Sequence, residues 1–141
     1  MKNLIGGTMV IMLFILVSQV KAQQATPQNI AAHNKKWNVP ASVDTIKNPY
    51  VNKPAMADSG HVIYKKFCVV CHGNSGKGDG IAAAGLAVQP ADHTSPLVQA
   101  LPTGELYWEL TTGHPPMPSY KTILTNKQRW QLVNYIKTLH K

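Results

Sequence analysis

The sequence predicts an all-α fold of three to five short helices joined by long loops. Three observations carry that prediction. Apolar residues recur at helical spacing in two stretches, Val62, Ile63, Phe67 and Val70, and then Trp130, Val133, Ile136 and Leu139. Thr125, followed three residues later by Gln128, makes a capping box at the start of the second stretch. No segment alternates apolar and polar residues strongly enough to compete as a strand.

The elements follow in chain order. Met1-Lys2-Asn3 is a short basic start, and Leu4 to Val17 is almost wholly apolar. Val20-Lys21-Ala22 then offers modest or small residues before a cut. This order reads as a secretory signal peptide over residues 1–22. A spanning helix wants roughly 20 apolar residues, so an uncleaved anchor is the weaker alternative. The expected destination is the periplasm, free or associated with the membrane. Residues 23–56 are rich in Gln, Asn, Ala, Lys and Pro, with Pro27, Pro40, Pro49 and Pro54 interrupting any regular pattern. They read as an extended N-terminal arm that Trp37, Val39 and Tyr50 pin down, or as a plain linker.

The compact domain is expected over residues 57–141. Asp58 or Ser59 caps its first helix, which runs to about Cys71. Gly73 to Pro102 is a glycine-rich loop carrying three prolines. Compact domains rarely hold so long a loop unless a ligand or cofactor orders it. Thr103 opens a second helix with Glu105 in its first turn, and Gly113 ends it. Pro115, Pro116 and Pro118 forbid a helix across 113–120. A last helix spans about Asn126 to Leu139. Three helices give a thin core, and a buried cofactor would supply the missing apolar mass.

The formal charge is +8, and a cut after Ala22 removes two of its lysines, Lys2 and Lys21. A basic domain suits acidic protein partners or a membrane surface. The lysines are scattered and Arg129 is the only arginine, which argues against nucleic acid.

The only two cysteines stand in Cys68-Val69-Val70-Cys71-His72. A disulfide across so short a loop stabilises little. A structural zinc site needs more ligands, and the other histidines, at 33, 61, 93, 114 and 140, form no zinc-type pair. A redox dithiol wants a βαβ setting that is absent. C-x-x-C-H is the attachment motif of c-type haem: two thioethers hold the porphyrin, and the histidine takes one axial position on iron. Met117, inside the proline-braced run Gly113 to Pro118, is the leading candidate for the second axial position, with His114 and His93 as rivals. The run Gly73 to Gly80 lacks the Gly-Lys-Ser/Thr ending and preceding strand of a phosphate loop.

CVVCHGNSGKGDG, MPSY and RWQLVNYIKTL together resemble a monohaem class I cytochrome c over residues 57–140. The resemblance implies that fold, its long loops wrapped around one covalent haem, with iron held by His72 and Met117. It implies that the first and last helices cross with Gly60 and Tyr64 against Leu132 and Tyr135. It implies that the Pro90 carbonyl orients the ligand histidine. Tyr107, Trp108 and Tyr120 are candidates to line the pocket, and Trp130 reads as core. Lys65, Lys66, Lys77 and Lys121 read either as a solvated face or as a positive collar that steers acidic redox partners.

The expected function is electron transfer through one haem c, as a periplasmic shuttle or as the haem subunit of a respiratory complex. With both axial positions filled there is no catalytic residue and no enzyme. The alternative, a gas sensor or peroxidase-like enzyme, requires an open sixth position.

Overall fold

A computed structural model describes residues 24–140; the expected signal peptide, 1–22, lies outside them. The helices in order are α1 (Pro27–Trp37), α2 (Pro54–Phe67), α3 (Val69–His72), α4 (Pro96–Ala100), α5 (Thr103–Thr112) and α6 (Asn126–Ile136). Single 3-10 turns occur at Ala41–Thr45 and Ala83–Gly85, and the described residues form no strand.

The stretch expected to be extended is in fact partly helical. Thr26 caps α1 by accepting from the Asn29 N–H at 3.2 Å, and Pro27 follows at once. A proline in the first turn loses no helical hydrogen bond, so it starts a helix instead of breaking one. Pro54 and Pro96 open α2 and α4 in the same way. The domain's first helix therefore starts at Pro54, and Asp58 and Ser59 lie inside it rather than capping it. The Ser59 hydroxyl donates back to the Ala55 carbonyl at 3.0 Å.

The core centres on the crossing of α2 and α6, the most extensive helix pair. A Cβ on Gly60 would lie 2.0 Å from the Gln131 carbonyl oxygen and 2.8 Å from the Tyr135 Cβ. Only a bare Cα permits this approach. One turn on, Tyr64 is fully buried, with its ring centroid 5.1 Å from that of Tyr135, and Leu132 is fully buried in the same cluster. The helix crossing implied by the resemblance is present.

The N-terminal segment closes over α5 and α6. Val43 is buried. Asn134 accepts from the Asn48 amide at 2.7 Å and donates to the Tyr50 carbonyl at 3.1 Å. The chain's only arginine performs the equivalent stitching on the other side. Arg129 is buried and donates to the carbonyls of Lys121 at 3.2 Å and Leu124 at 2.6 Å, and to the Tyr107 hydroxyl at 2.9 Å. Arg129→Met keeps much of the volume but strands those acceptors. It should lower the unfolding free energy of the haem-loaded protein by about 3 kcal/mol, read by urea denaturation.

Candidate functional site

The cysteine motif is built at a helix break. Cys68 closes α2 with its N–H on the Tyr64 carbonyl at 2.8 Å. It then starts the single turn of α3, where the Cys68 carbonyl accepts from the N–H groups of Cys71 at 3.1 Å and His72 at 2.8 Å. That turn brings Cys68, Cys71 and His72 to one cleft, which encloses about 1260 Å³ including its open mouth. Phe67, Leu86, Val98, Leu106, Leu110 and Ile136 give it apolar walls.

The thiols are free, and the environment of Cys68 is unlike that of a redox cysteine. Burial, and secondarily the neighbouring Cys71, push the Cys68 thiol up to about 12. Redox cysteines need the opposite shift. Burial lowers the pKa of His72 and keeps its imidazole neutral, with the Ala91 hydrogen bond opposing in part. His72 Nδ1 lies 3.0 Å from the Ala91 carbonyl oxygen. That acceptor holds the proton on Nδ1 and leaves the Nε2 lone pair free for a metal. The orienting carbonyl is thus Ala91's and not Pro90's as expected. The Pro90 carbonyl instead lies over Gly78, where a Cβ would be 2.3 Å from its oxygen.

The glycine-rich run after the motif folds back onto it. Gly78 donates to the His72 carbonyl at 2.9 Å, Gly80 to Cys71 at 3.0 Å and Ala82 to Val70 at 2.9 Å. These N–H groups satisfy the orphan carbonyls at the end of α3. They are therefore not free to cradle a phosphate.

A second stretch of the cleft lining lies within 113–120. His114 and Met117 exchange two backbone hydrogen bonds, at 3.0 and 2.9 Å. Tyr120 N–H donates to the Leu110 carbonyl at 3.0 Å, and the Ser119 hydroxyl to the Thr111 carbonyl at 2.7 Å. The segment is therefore fastened to the end of α5, and Met117 lines the cleft and packs on the core. The two rival histidines also line the cleft, each packed against another ring. His93 stacks on His72 itself, centroids 4.1 Å apart and planes 16° apart, with Tyr64 Oη 3.2 Å from its Nδ1. His114 lies against Trp37 at 5.2 Å.

Tyr120 lines the cleft and donates to the Phe67 carbonyl at 3.3 Å. Tyr107 does not line it; it stacks on the buried Trp130 at 4.1 Å. Trp108 is also not part of the lining. Lys65, Lys66, Lys77 and Lys121 are all exposed. Sequence reasoning missed the contribution of α1, which walls the cleft with His33, Lys36 and Trp37. Trp37 was expected to pin this stretch to the domain, but its sequence gives no sign of which face it covers.

An all-α fold with a C-x-x-C-H turn opening on an apolar cleft defines a c-type cytochrome domain. Residues 55–136 match the family described as cytochrome c oxidase, cbb3-type, subunit III, and since they make up more than half of the chain, it belongs to that family. Among solved structures it is similar to a chain of the Kuenenia stuttgartiensis reducing HAO-like protein complex Kustc0457/Kustc0458, at 28% identity and a TM-score of 0.59. That match covers 68% of this chain and 50% of the other, so this chain spans about half the length of that relative. It also shares its fold with the KustC0563 c-type cytochrome, at 24% identity and a TM-score of 0.51, covering 58% of this chain and 98% of the other. No curated protein matches.

A c-type cytochrome domain carries haem c with its iron. The cleft fits that group: two thiols and a neutral imidazole with a free nitrogen lie on one lining segment, a thioether lies on another, and apolar side chains fill in between.

Proposed function

We propose that this chain is a one-electron carrier whose single haem is held covalently through Cys68 and Cys71 and whose iron is closed by His72 and Met117. The haem supplies the redox couple, and the chain's own residues hold and shield it. The observation that carries the reading is the pairing of His72, oriented by Ala91, with a Met117 segment fastened at both ends. A ligand held this firmly need not move when the iron changes charge, which favours fast transfer over chemistry at the metal. With both axial positions taken, substrate has nowhere to bind, so the chain is not an enzyme. A thioether ligand also stabilises ferrous iron relative to a second imidazole.

The exposed Lys65, Lys66, Lys77 and Lys121 fit encounters with acidic partners. The chain is exported through its 1–22 segment to the periplasm, and no helix among the described residues is long and apolar enough to cross a membrane. There it serves as a free shuttle or as the haem subunit of a membrane respiratory complex; the family's description names a subunit of a cytochrome c oxidase.

Carbon monoxide tests the closed iron. The ferrous haem-loaded protein at neutral pH should keep its visible spectrum under a saturating atmosphere of the gas. Immediate conversion to a carbonyl spectrum would favour a sensor or peroxidase-like role.

A further inference from the structure

Apart from the haem cleft's own ligands, one cluster joins a helix of the N-terminal segment to the domain. His33 on α1 meets Glu105 and Glu109 on α5, which are four residues apart and so share a helix face. His33 Nε2 lies 2.5 Å from Glu109 Oε1 and 3.8 Å from Glu105 Oε1, and the three donor atoms all fall within 4.8 Å of one another. Both glutamates are buried, Glu105 to 2% exposure.

Two buried carboxylates side by side are costly. The chain has only six acidic residues against 14 lysines and arginines, yet two of the six lie here. Among the described residues, the ion pairs of these two run only to His33. Lys137, whose charge reaches Glu105, gives its hydrogen bonds to the Gln99 and Leu101 carbonyls instead, at 2.6 and 2.7 Å.

We infer that His33, Glu105 and Glu109 form a second metal site, for a divalent cation of the zinc class, that fastens α1 across the haem cleft. The donor set suits that class. One imidazole and two carboxylates are borderline ligands; calcium and magnesium prefer oxygen donors alone and more of them. Tetrahedral zinc with ligands at 2.0–2.2 Å sets its donors roughly 3.3–3.6 Å apart. The two separations from His33 bracket that range, so modest side-chain shifts at the three donors would close the site. Asn34 supplies the outer support that ligating carboxylates need. In the amide orientation that satisfies it, its nitrogen donates to Glu105 Oε1 at 2.7 Å and to the Ile30 carbonyl at 3.0 Å. The site exists only when α1 is docked, because its donors come from positions 76 residues apart, His33 and Glu109. His33 and Glu109 also line the haem cleft, so the cation would hold that wall shut.

The test is calorimetric titration of the haem-loaded protein with Zn²⁺ alone. One equivalent should bind. His33→Ala and Glu109→Gln should each weaken binding by at least about 100-fold, the upper end of what loss of a supporting contact costs a metal site. Glu109→Gln keeps the shape and the contact with His33, and an unchanged far-ultraviolet circular dichroism spectrum certifies its fold. His61→Ala and His140→Ala, on the exposed surface, should bind as the parent does. Proteolysis within residues 24–53 should slow on zinc addition in the parent and not in Glu109→Gln. No uptake at millimolar Zn²⁺, or uptake that survives both site variants, would overturn the inference.

Discussion

Met117→Ala should convert a closed iron into an open one. The substitution removes the proposed thioether, and the two histidines that share the cleft lining are each packed against another ring. His93 is stacked face to face on His72, and Tyr64 Oη lies 3.2 Å from its Nδ1. His114 lies against Trp37. The ferrous variant should therefore bind carbon monoxide fully where the parent binds none. Its reduction potential should fall, because the thioether that favours ferrous iron is gone. The fold should survive. Met117 is only partly buried, and its segment is fastened by backbone and Ser119 hydrogen bonds that the substitution leaves intact. Gas titration and a potentiometric titration read the two effects separately.

Gly60→Ala should be the most damaging single methyl group in the domain. On an open helix the change would stabilise by about 1 kcal/mol through backbone entropy. Here the new Cβ lands 2.0 Å from the Gln131 carbonyl oxygen, part of a helix backbone that cannot turn aside. The α2–α6 crossing must widen, and the fully buried Tyr64 and Leu132 lose their close packing. A net loss of about 3 kcal/mol follows from overpacking of this kind. That corresponds to a fall of roughly 15 °C in melting temperature for a domain of this size. Gly85→Ala is the matched control, since a Cβ there meets nothing within 4 Å, and it should stay within about 0.5 kcal/mol of the parent.

The parts legible in the sequence were those set by local chemistry. Thr125 and Gln128 form the expected reciprocal cap, and α5 opens at Thr103 and ends at Gly113 as its residues require. The Cys68-to-His72 spacing brings its three side chains to one cleft by the geometry of a single turn. What escaped depended on distant partners. α1 has no buried residue of its own. What holds it is its cap, Ile30 packed half-buried on the core, and its contacts with Glu109 and His114, far along the chain. Its proline was read as a breaker because only the preceding Thr26 and the docking surface reveal it as a starter. The choice of Ala91 over Pro90 as the partner of His72 is a difference of one residue in the path of a long loop, which no local pattern encodes. His93 looked like a rival ligand because sequence gives a histidine no side of the cleft.

The central claim is that His72 and Met117 both hold the iron, and far-red absorption of the ferric haem-loaded protein at neutral pH tests it most directly. The parent should show the weak charge-transfer band of an iron–thioether bond, and Met117→Ala should lack it. A parent without the band, or a band that persists in Met117→Ala, would contradict the account.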